Sequence, residues 1–400
     1  MSWLIPRDEL TADQIRAVEL SPNEHRVILG APGSGKTQIL LHRARFLCDE
    51  HGVGPSRFHV FVFTNVLKNY IRTALVDLDL PDDSVTTLDD WCVQVYRQEV
   101  RPNLPWDSAN RCPDYAAIRK AVHGRMKGRK PFDFVLVDEG QDLDPDAIAL
   151  IRDLAPHVTV AMDHKQQIYG EGSGEAEIIR ALGLKRSNVM LVDAFRCCPY
   201  IVRLASEFIE DPRERAAFLN QTRTAQSDIQ TPLLYEASDV DDEKARLIEV
   251  LRERQIVDRS IAILFPKNAQ VESFANKCRE QGIPVQTRKG GLNFADSTPK
   301  VITIHSAKGL TFDSVLLPRM VTSSFSGPLD GWAERLLYVG MTRATRWVYF
   351  STVRGRALPA LARIRALAQM EPPVVALASP SGTVSTTPGS QEQDELLDIL

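Results

Sequence analysis

The 400-residue sequence is poor in several features that would narrow its class. Its six cysteines stand at positions 48, 92, 112, 197, 198 and 278, with no C-x-x-C pair. That spacing argues against a zinc site or a disulfide framework and predicts a reducing, cytoplasmic setting. No apolar run approaches the roughly 20 residues of a membrane helix, so no membrane partner is expected. The opening MSWLIPRDEL has no basic segment followed by an apolar stretch, which argues against a secretory leader. A short-period repeat is also lacking, which excludes solenoids and propellers. Basic residues are not in excess: 48 Lys and Arg stand against 52 Asp and Glu, for a net charge of −4. Such a balance does not advertise nucleic-acid binding, although a local basic groove fits inside it.

What is present reads as ordinary globular material, 44% hydrophobic and 25% charged. LTADQIRAVEL predicts a short helix with Thr11 as its N-cap. RVILG, FHVFVFT, FDFVLVDE and VTVAMD read as buried strands, separated by helical stretches such as KTQILLHRARFLCDE and NVLKNYIRTALVDL. After about residue 190 the pattern restarts: SIAILF, IPVQT, KVITIHS and DSVLLP as strands, AQVESFANKCREQG and WAERLLYVGMTRA as helices. Strands alternating with helices predict an α/β protein with doubly wound parallel sheets. Two domains are expected, residues 1–190 and 191–370. Residues 93–131 read as a small basic insertion in the first; its RKAVHGRMKGRK suits a solvated helix face or a phosphate-contacting patch equally. Residues 371–400 read as a flexible tail rich in Pro, Ser, Thr and Gly. Its end, DELLDIL, reads as a frayed terminus, with docking on a protein partner as the alternative.

GAPGSGKT, running through Gly30, Ala31, Pro32, Gly33, Ser34, Gly35, Lys36 and Thr37, matches G-x-x-x-x-G-K-[ST]. It follows a strand and opens a helix, the context that gives the pattern meaning. Glycines let the backbone wrap a phosphate, and the helix N-terminus adds partial positive charge. Lys36 can reach the β- and γ-phosphates, and Thr37 can offer its hydroxyl to Mg²⁺. Gln38 completes the expected nucleotide-binding set. VLVDEGQD supplies a strand ending in Asp138 and Glu139, at the edge where open α/β sheets bind ligands. Asp138 is placed to hold Mg²⁺, and Glu139 to orient or deprotonate an attacking water. Together these motifs predict hydrolysis of a nucleoside triphosphate, with ATP and Mg²⁺ as the cofactors.

The order LTADQ, GAPGSGKT, VFTN, VLVDEGQD, MDHKQQIY, DAFR, TIHSAKGLTF and LLYVGMTRA resembles the UvrD/Rep-like branch of superfamily 1 helicases, over about residues 10 to 350. The resemblance implies two RecA-like domains and ATP-driven movement on single-stranded DNA, with 3′-to-5′ polarity. It implies that Gln14 reads adenine, that Gln166 senses the γ-phosphate, and that Arg196 and Arg343 reach that phosphate from the second domain. It further implies that Phe63, Thr64, Asn65, Tyr169, Thr303 and His305 serve the nucleic acid.

The sequence departs from the family at three places. TLDD puts Asp89 where the family commonly has a histidine, and a carboxylate repels phosphate. Thr311 stands where a glutamate usually follows AKGL. YGEGSG puts Glu171 near the position of a base-stacking tryptophan. The chain also has little room for the family's second helical insertion. These departures keep a second reading open: an ATP-gated regulatory subunit that controls a partner such as a nuclease or antiviral defence effector.

Overall fold

The computed structural model describes residues 3–31, 33–109, 111–163, 174–185, 189–192, 194–224, 230–325 and 331–380. The chain divides into two compact units, Met1–Asp193 and Ala194–Leu400.

In the first unit the strands are β1 (Arg26–Gly30), β2 (Phe58–Val62), β3 (Val85–Thr87), β4 (Trp106–Asp107), β5 (Cys112–Pro113), β6 (Phe134–Val137), β7 (His157–Met162) and β8 (Val189–Val192). Six of them form one sheet in the order β3-β2-β6-β7-β1-β8. Every pairing in it is parallel. Parallel strands are covered on both faces, which is why β2, β6 and β7 are buried at every position. Side-chain caps start the helices cleanly. Thr11 and Gln14 form a capping box, and Thr64, Thr87 and Asp144 cap the helices Asn65–Leu75, Leu88–Glu99 and Pro145–Leu154. The main apolar cluster joins Phe61, Val135, Val137, Val158 and Val160 of the sheet to Ile148 and Ile151.

Residues 93–131 are part of this core. The helix Leu88–Glu99 begins before the segment, and the helix Tyr115–Met126 sends Ile118, Val122 and Met126 into the main cluster. Strands β4 and β5 pair as an antiparallel hairpin that leaves Trp106 exposed. Three of the segment's basic residues are engaged within the chain. Arg119 bridges Asp89 at 2.8 Å and Asp144 at 2.7 Å, and Arg125 and Arg129 both meet Glu99. The short strands β3 and β8 are not expected from the sequence pattern. Three threonine-rich residues carry no apolar run, yet Val85–Thr87 completes the edge beside β2.

In the second unit β9 (Ala194–Cys197) pairs with β10 (Thr222–Thr224). The main sheet holds β11 (Leu233–Ala237), β12 (Ile261–Phe265), β13 (Gln286–Thr287), β14 (Lys300–Thr303), β15 (Phe312–Leu317), β16 (Ala344–Val353) and β17 (Ala376–Ala378). Its order is β13-β14-β12-β15-β16-β11-β17, again parallel throughout. The strand β16 is not expected from the sequence, because its polar start ATRW disguises a run buried from Trp347 to Val353. The fold also corrects the expected tail boundary at residue 371. Val374 and Val375 are buried and β17 adds to β11, so the ordered unit extends past 370. Residues 381–400, with DELLDIL, lie outside the described residues. No helix among the described residues is long and apolar enough to cross a membrane.

Candidate nucleotide and nucleic-acid sites

The carboxyl ends of β1, β2, β6 and β7 share one edge of the first sheet, and the motif residues follow directly from those ends. After β1 the loop turns through Gly33 and Gly35, both at positive φ, into the helix Lys36–His51. Two glycines are dictated by close approach. A Cβ on Gly30 would meet Ser34 Oγ at 2.2 Å, and one on Gly35 would meet Gln14 Nε2 at 2.7 Å. Gln14 Nε2 donates to Ser34 O at 3.0 Å, so the first helix is tied to the loop. Gln38 braces the helix start from behind: its Oε1 accepts from Ile5 N and its Nε2 donates to Trp3 O. Pro32 lies outside the described residues.

Lys36 Nζ donates to Gly30 O at 2.7 Å and to Ala31 O at 3.2 Å, which folds the ammonium back over the loop. Thr37 Oγ1 donates to Asp138 Oδ2 at 2.6 Å, joining the loop helix to the end of β6. Burial, together with the adjacent Glu139 charge, pushes the Asp138 carboxyl up to about 6, while Thr37 and Lys36 pull it down. Glu139 stands in the left-handed region at φ 55°, and its N–H donates to Asp138 Oδ1 at 3.0 Å. A non-glycine residue held there is strained, and such strain clusters where side chains must be aimed.

The loop fits a nucleoside triphosphate and a divalent cation. Ser34 Oγ is buried with no hydrogen-bond partner among the described residues. The glycines form a cradle that side chains would fill, and a hydroxyl beside a carboxylate is a Mg²⁺-type oxygen donor set. Gln166 and Tyr169 lie outside the described residues, as does Glu171.

At the end of β2, Phe63, Thr64 and Asn65 are half-buried. Thr64 Oγ1 caps the next helix by accepting from Leu67 N at 3.1 Å. Asn65 Oδ1 is buried with no partner among the described residues. Asp89 is engaged by Arg119, which it shares with Asp144, so its charge is partly offset.

In the second unit the expected residues separate to two edges of one sheet. Thr303 closes the carboxyl end of β14; its hydroxyl donates to Ser306 Oγ at 2.9 Å and accepts from Ser306 N. His305 opens the following turn, and burial, aided by Lys308 and Arg288, lowers its imidazole to about 4. It is therefore a neutral hydrogen-bonding group at physiological pH. A cavity of about 500 Å³ lies beside them, lined by Asn268, Arg288, Lys289, Thr303 and Ser306 among others. Arg343 lies at the opposite edge, just before β16. Its guanidinium is buried and donates to Val339 O, Leu310 O and Thr342 Oγ1. Arg196 is on β9, joined to that same edge by the bond from Cys198 N to Thr345 O; its side chain is outside the described residues. Residues 304–311, which hold HSAKGL, run back from the Thr303 edge to the Arg343 edge in one short connection.

One buried residue of the first site is not singled out by the sequence motifs. Gln141 touches both Glu139 and Asp163. Its only signal is the single amide in DEGQD, and polarity alone does not reveal burial.

The comparisons agree with this division. The AAA domain family matches residues 14–172, and the UvrD-like helicase C-terminal domain family matches residues 300–351. A probable DNA helicase of Mycoplasma pneumoniae is 22% identical over 86% of this chain and 84% of its own length. The putative ATP-dependent DNA helicase YjcD of Bacillus subtilis is 22% identical over 73% of this chain and 50% of its own. A mitochondrial ATP-dependent DNA helicase of Saccharomyces cerevisiae is 28% identical over 42% of this chain and 26% of its own. The chain thus spans half or less of the length of two of these relatives. The solved C-terminal domain of a possible DNA helicase from a Lactobacillus superposes with a TM-score of 0.34 at 19% identity, covering 46% of this chain and 98% of its own; that likeness is too slight to argue from. With a P-loop sheet in one unit and HSAKGL and GMTRA framing a second parallel sheet, the chain is similar to the UvrD/Rep-like branch of superfamily 1 helicases.

Proposed function

We propose that the chain is an ATP hydrolase that couples turnover to 3′-to-5′ movement on single-stranded DNA. The observation that carries this reading is the Thr37–Asp138 bond, which brings the two halves of a phosphate and Mg²⁺ site together at one sheet edge. Lys36 neutralises phosphate charge, and Glu139 orients and deprotonates the attacking water. Thr37 and Asp138 would hold Mg²⁺, which when bound neutralises charge on the phosphate oxygens. Gln14 takes the adenine-reading role that the family resemblance implies. Gln166, Arg196 and Arg343 take the γ-phosphate-reading roles that the family resemblance implies. Phe63, Thr64, Asn65, Tyr169, Thr303 and His305 form the nucleic-acid set, and the cavity beside Thr303 supports its second-unit half. The relatives named as DNA helicases support DNA as the track.

ATPase assays with and without single-stranded DNA test the reading. Strong stimulation that weakens with added salt is expected. Lys36→Ala and Glu139→Gln should each abolish turnover with the fold intact. Equal rates with and without DNA or RNA would remove the translocase reading.

A specific observation favours a second reading, an ATP-gated regulatory subunit acting on a nuclease or defence effector with little unwinding of its own. Only residues 288–299 connect β13 to β14, which leaves the second unit's sheet without a large insertion at that point. Turnover that responds to a protein partner and not to nucleic acid would select it.

A further inference from the structure

The turn that follows Glu139 is pressed onto β7. A Cβ on Gly140 would meet Val160 Cγ1 at 2.2 Å, so glycine lets the 3₁₀ turn Gly140–Asp142 lie directly against that strand. This approach carries the wholly buried side chain of Gln141 between two groups. Its Nε2 donates to Glu139 Oε2 at 2.5 Å, and its Oε1 accepts from Asp163 N at 3.0 Å. The amide is thus used at both ends, and its orientation is fixed by chemistry: the oxygen must face a backbone N–H and the nitrogen a carboxylate. A side chain with no exposure and two committed ends has little rotamer freedom.

We infer that Gln141 is a positioning residue for ATP hydrolysis: it holds the Glu139 carboxylate in its working direction and fixes that direction to the end of β7. This rests on the reading of Glu139 as the group that orients the attacking water. Three observations converge on it. Glu139 is in a left-handed backbone conformation, which alone does not determine where its carboxylate points. Its Oε2 accepts from Gln141 Nε2, which fixes one oxygen of that carboxylate in place. The anchor, Asp163, directly follows β7, so the base and the end of that strand share one amide. The hydrogen bonds of Gln141 go to Glu139 and Asp163, so its effect is expected in the rate of the chemical step and not in nucleotide affinity.

The test is Gln141→Met, which keeps length and apolar bulk and removes both hydrogen bonds. ATP turnover is measured over a range of ATP concentrations in the presence of single-stranded DNA. A kcat lower by on the order of 10- to 100-fold is expected, with KM for ATP within about twofold of the parent. In a Glu139→Gln background, Gln141→Met should add nothing to the residual single-turnover rate, because it acts through Glu139. A kcat within twofold of the parent overturns the inference, and so does a full additional loss in the double variant. If Gln141→Met does not fold, Gln141→Glu retains the acceptor for Asp163 N and replaces the donor to Glu139; parent-rate turnover in that variant overturns the inference equally. Full turnover in Glu139→Gln alone removes the reading of Glu139 and this role with it. An inactive Glu139→Gln beside a full-rate Gln141→Met removes this role only.

Discussion

Thr37 Oγ1 and Asp138 Oδ2, 101 positions apart in the chain, are 2.6 Å apart in the first unit. Asp138 is buried and its carboxyl is pushed up to about 6, so it gains from any positive charge or donor placed against it. Thr37→Val keeps the shape and removes the hydroxyl. The Mg²⁺ concentration needed for half-maximal ATPase should rise by about tenfold or more, equivalent to at least ~1.4 kcal/mol of lost binding. An unchanged Mg²⁺ titration would remove Thr37 from the cation site.

Asp89 is held by Arg119, which also holds Asp144. The carboxylate is still about two-fifths exposed and is one element of the edge that carries Phe63 to Asn65. Asp89→Asn removes one negative charge and leaves Arg119 its second partner. Single-stranded DNA should then half-saturate the ATPase at a concentration about two- to fivefold lower in low salt, with the difference fading as salt screens it. Binding that is indifferent to this change at low salt would place Asp89 away from the track.

The new boundary of the second unit separates two truncations. Removing residues 381–400 should leave thermal stability and ATPase unchanged. Removing 371–400 also deletes Val375, which is 1% exposed, and the strand paired to β11. Burial of two valines and a short strand is worth on the order of 3 kcal/mol, so this longer cut should lower the unfolding midpoint clearly. Equal midpoints for the two truncations would show that β17 contributes nothing.

The elements legible in the sequence are those where local pattern and tertiary role coincide. Arg26–Gly30, Phe58–Val62 and Ile261–Phe265 are apolar runs bounded by turns, and the parallel sheets bury them on both faces. Val85–Thr87 and Ala376–Ala378 are strands because a neighbour's backbone recruits them, and three residues carry no period of their own. The phosphate loop was legible because backbone wrapping demands particular residues at a fixed spacing. Gln141 was not, since its role comes from a turn pressed onto β7 and that contact is written in Gly140 and Val160, twenty residues apart. Asp89 was legible as a departure, but the partial offset of its charge depends on Arg119 from a different helix.

Arg43 lies wholly buried with no carboxylate at its side chain among the described residues, and its donors are spent on neutral acceptors. Nη1 reaches Val18 O and Leu20 O, Nε reaches Thr159 Oγ1, and Nη2 reaches His157 Nε2 at 3.0 Å. Because the guanidinium can only donate, His157 Nε2 must accept, and the ring proton sits on Nδ1 facing Glu24 O at 2.8 Å. Burial, and next the charge of Arg43, lower the His157 pKa from 6.5 to about 3. The unfolded chain takes up that proton near pH 6.5 and the folded chain does not until about pH 3. The stabilising contribution is therefore complete above pH 6.5 and is lost as pH falls through that window. At pH 5 the loss from this one ring is about 2 kcal/mol. His59, lowered to about 4 mainly by burial, should add a loss of the same sign. Denaturant midpoints measured between pH 7.5 and 5 should fall steadily, and His157→Gln, which cannot take up a proton, should flatten that fall. A variant curve parallel to the parent's would show that His157 is not the group that makes this unit acid-sensitive.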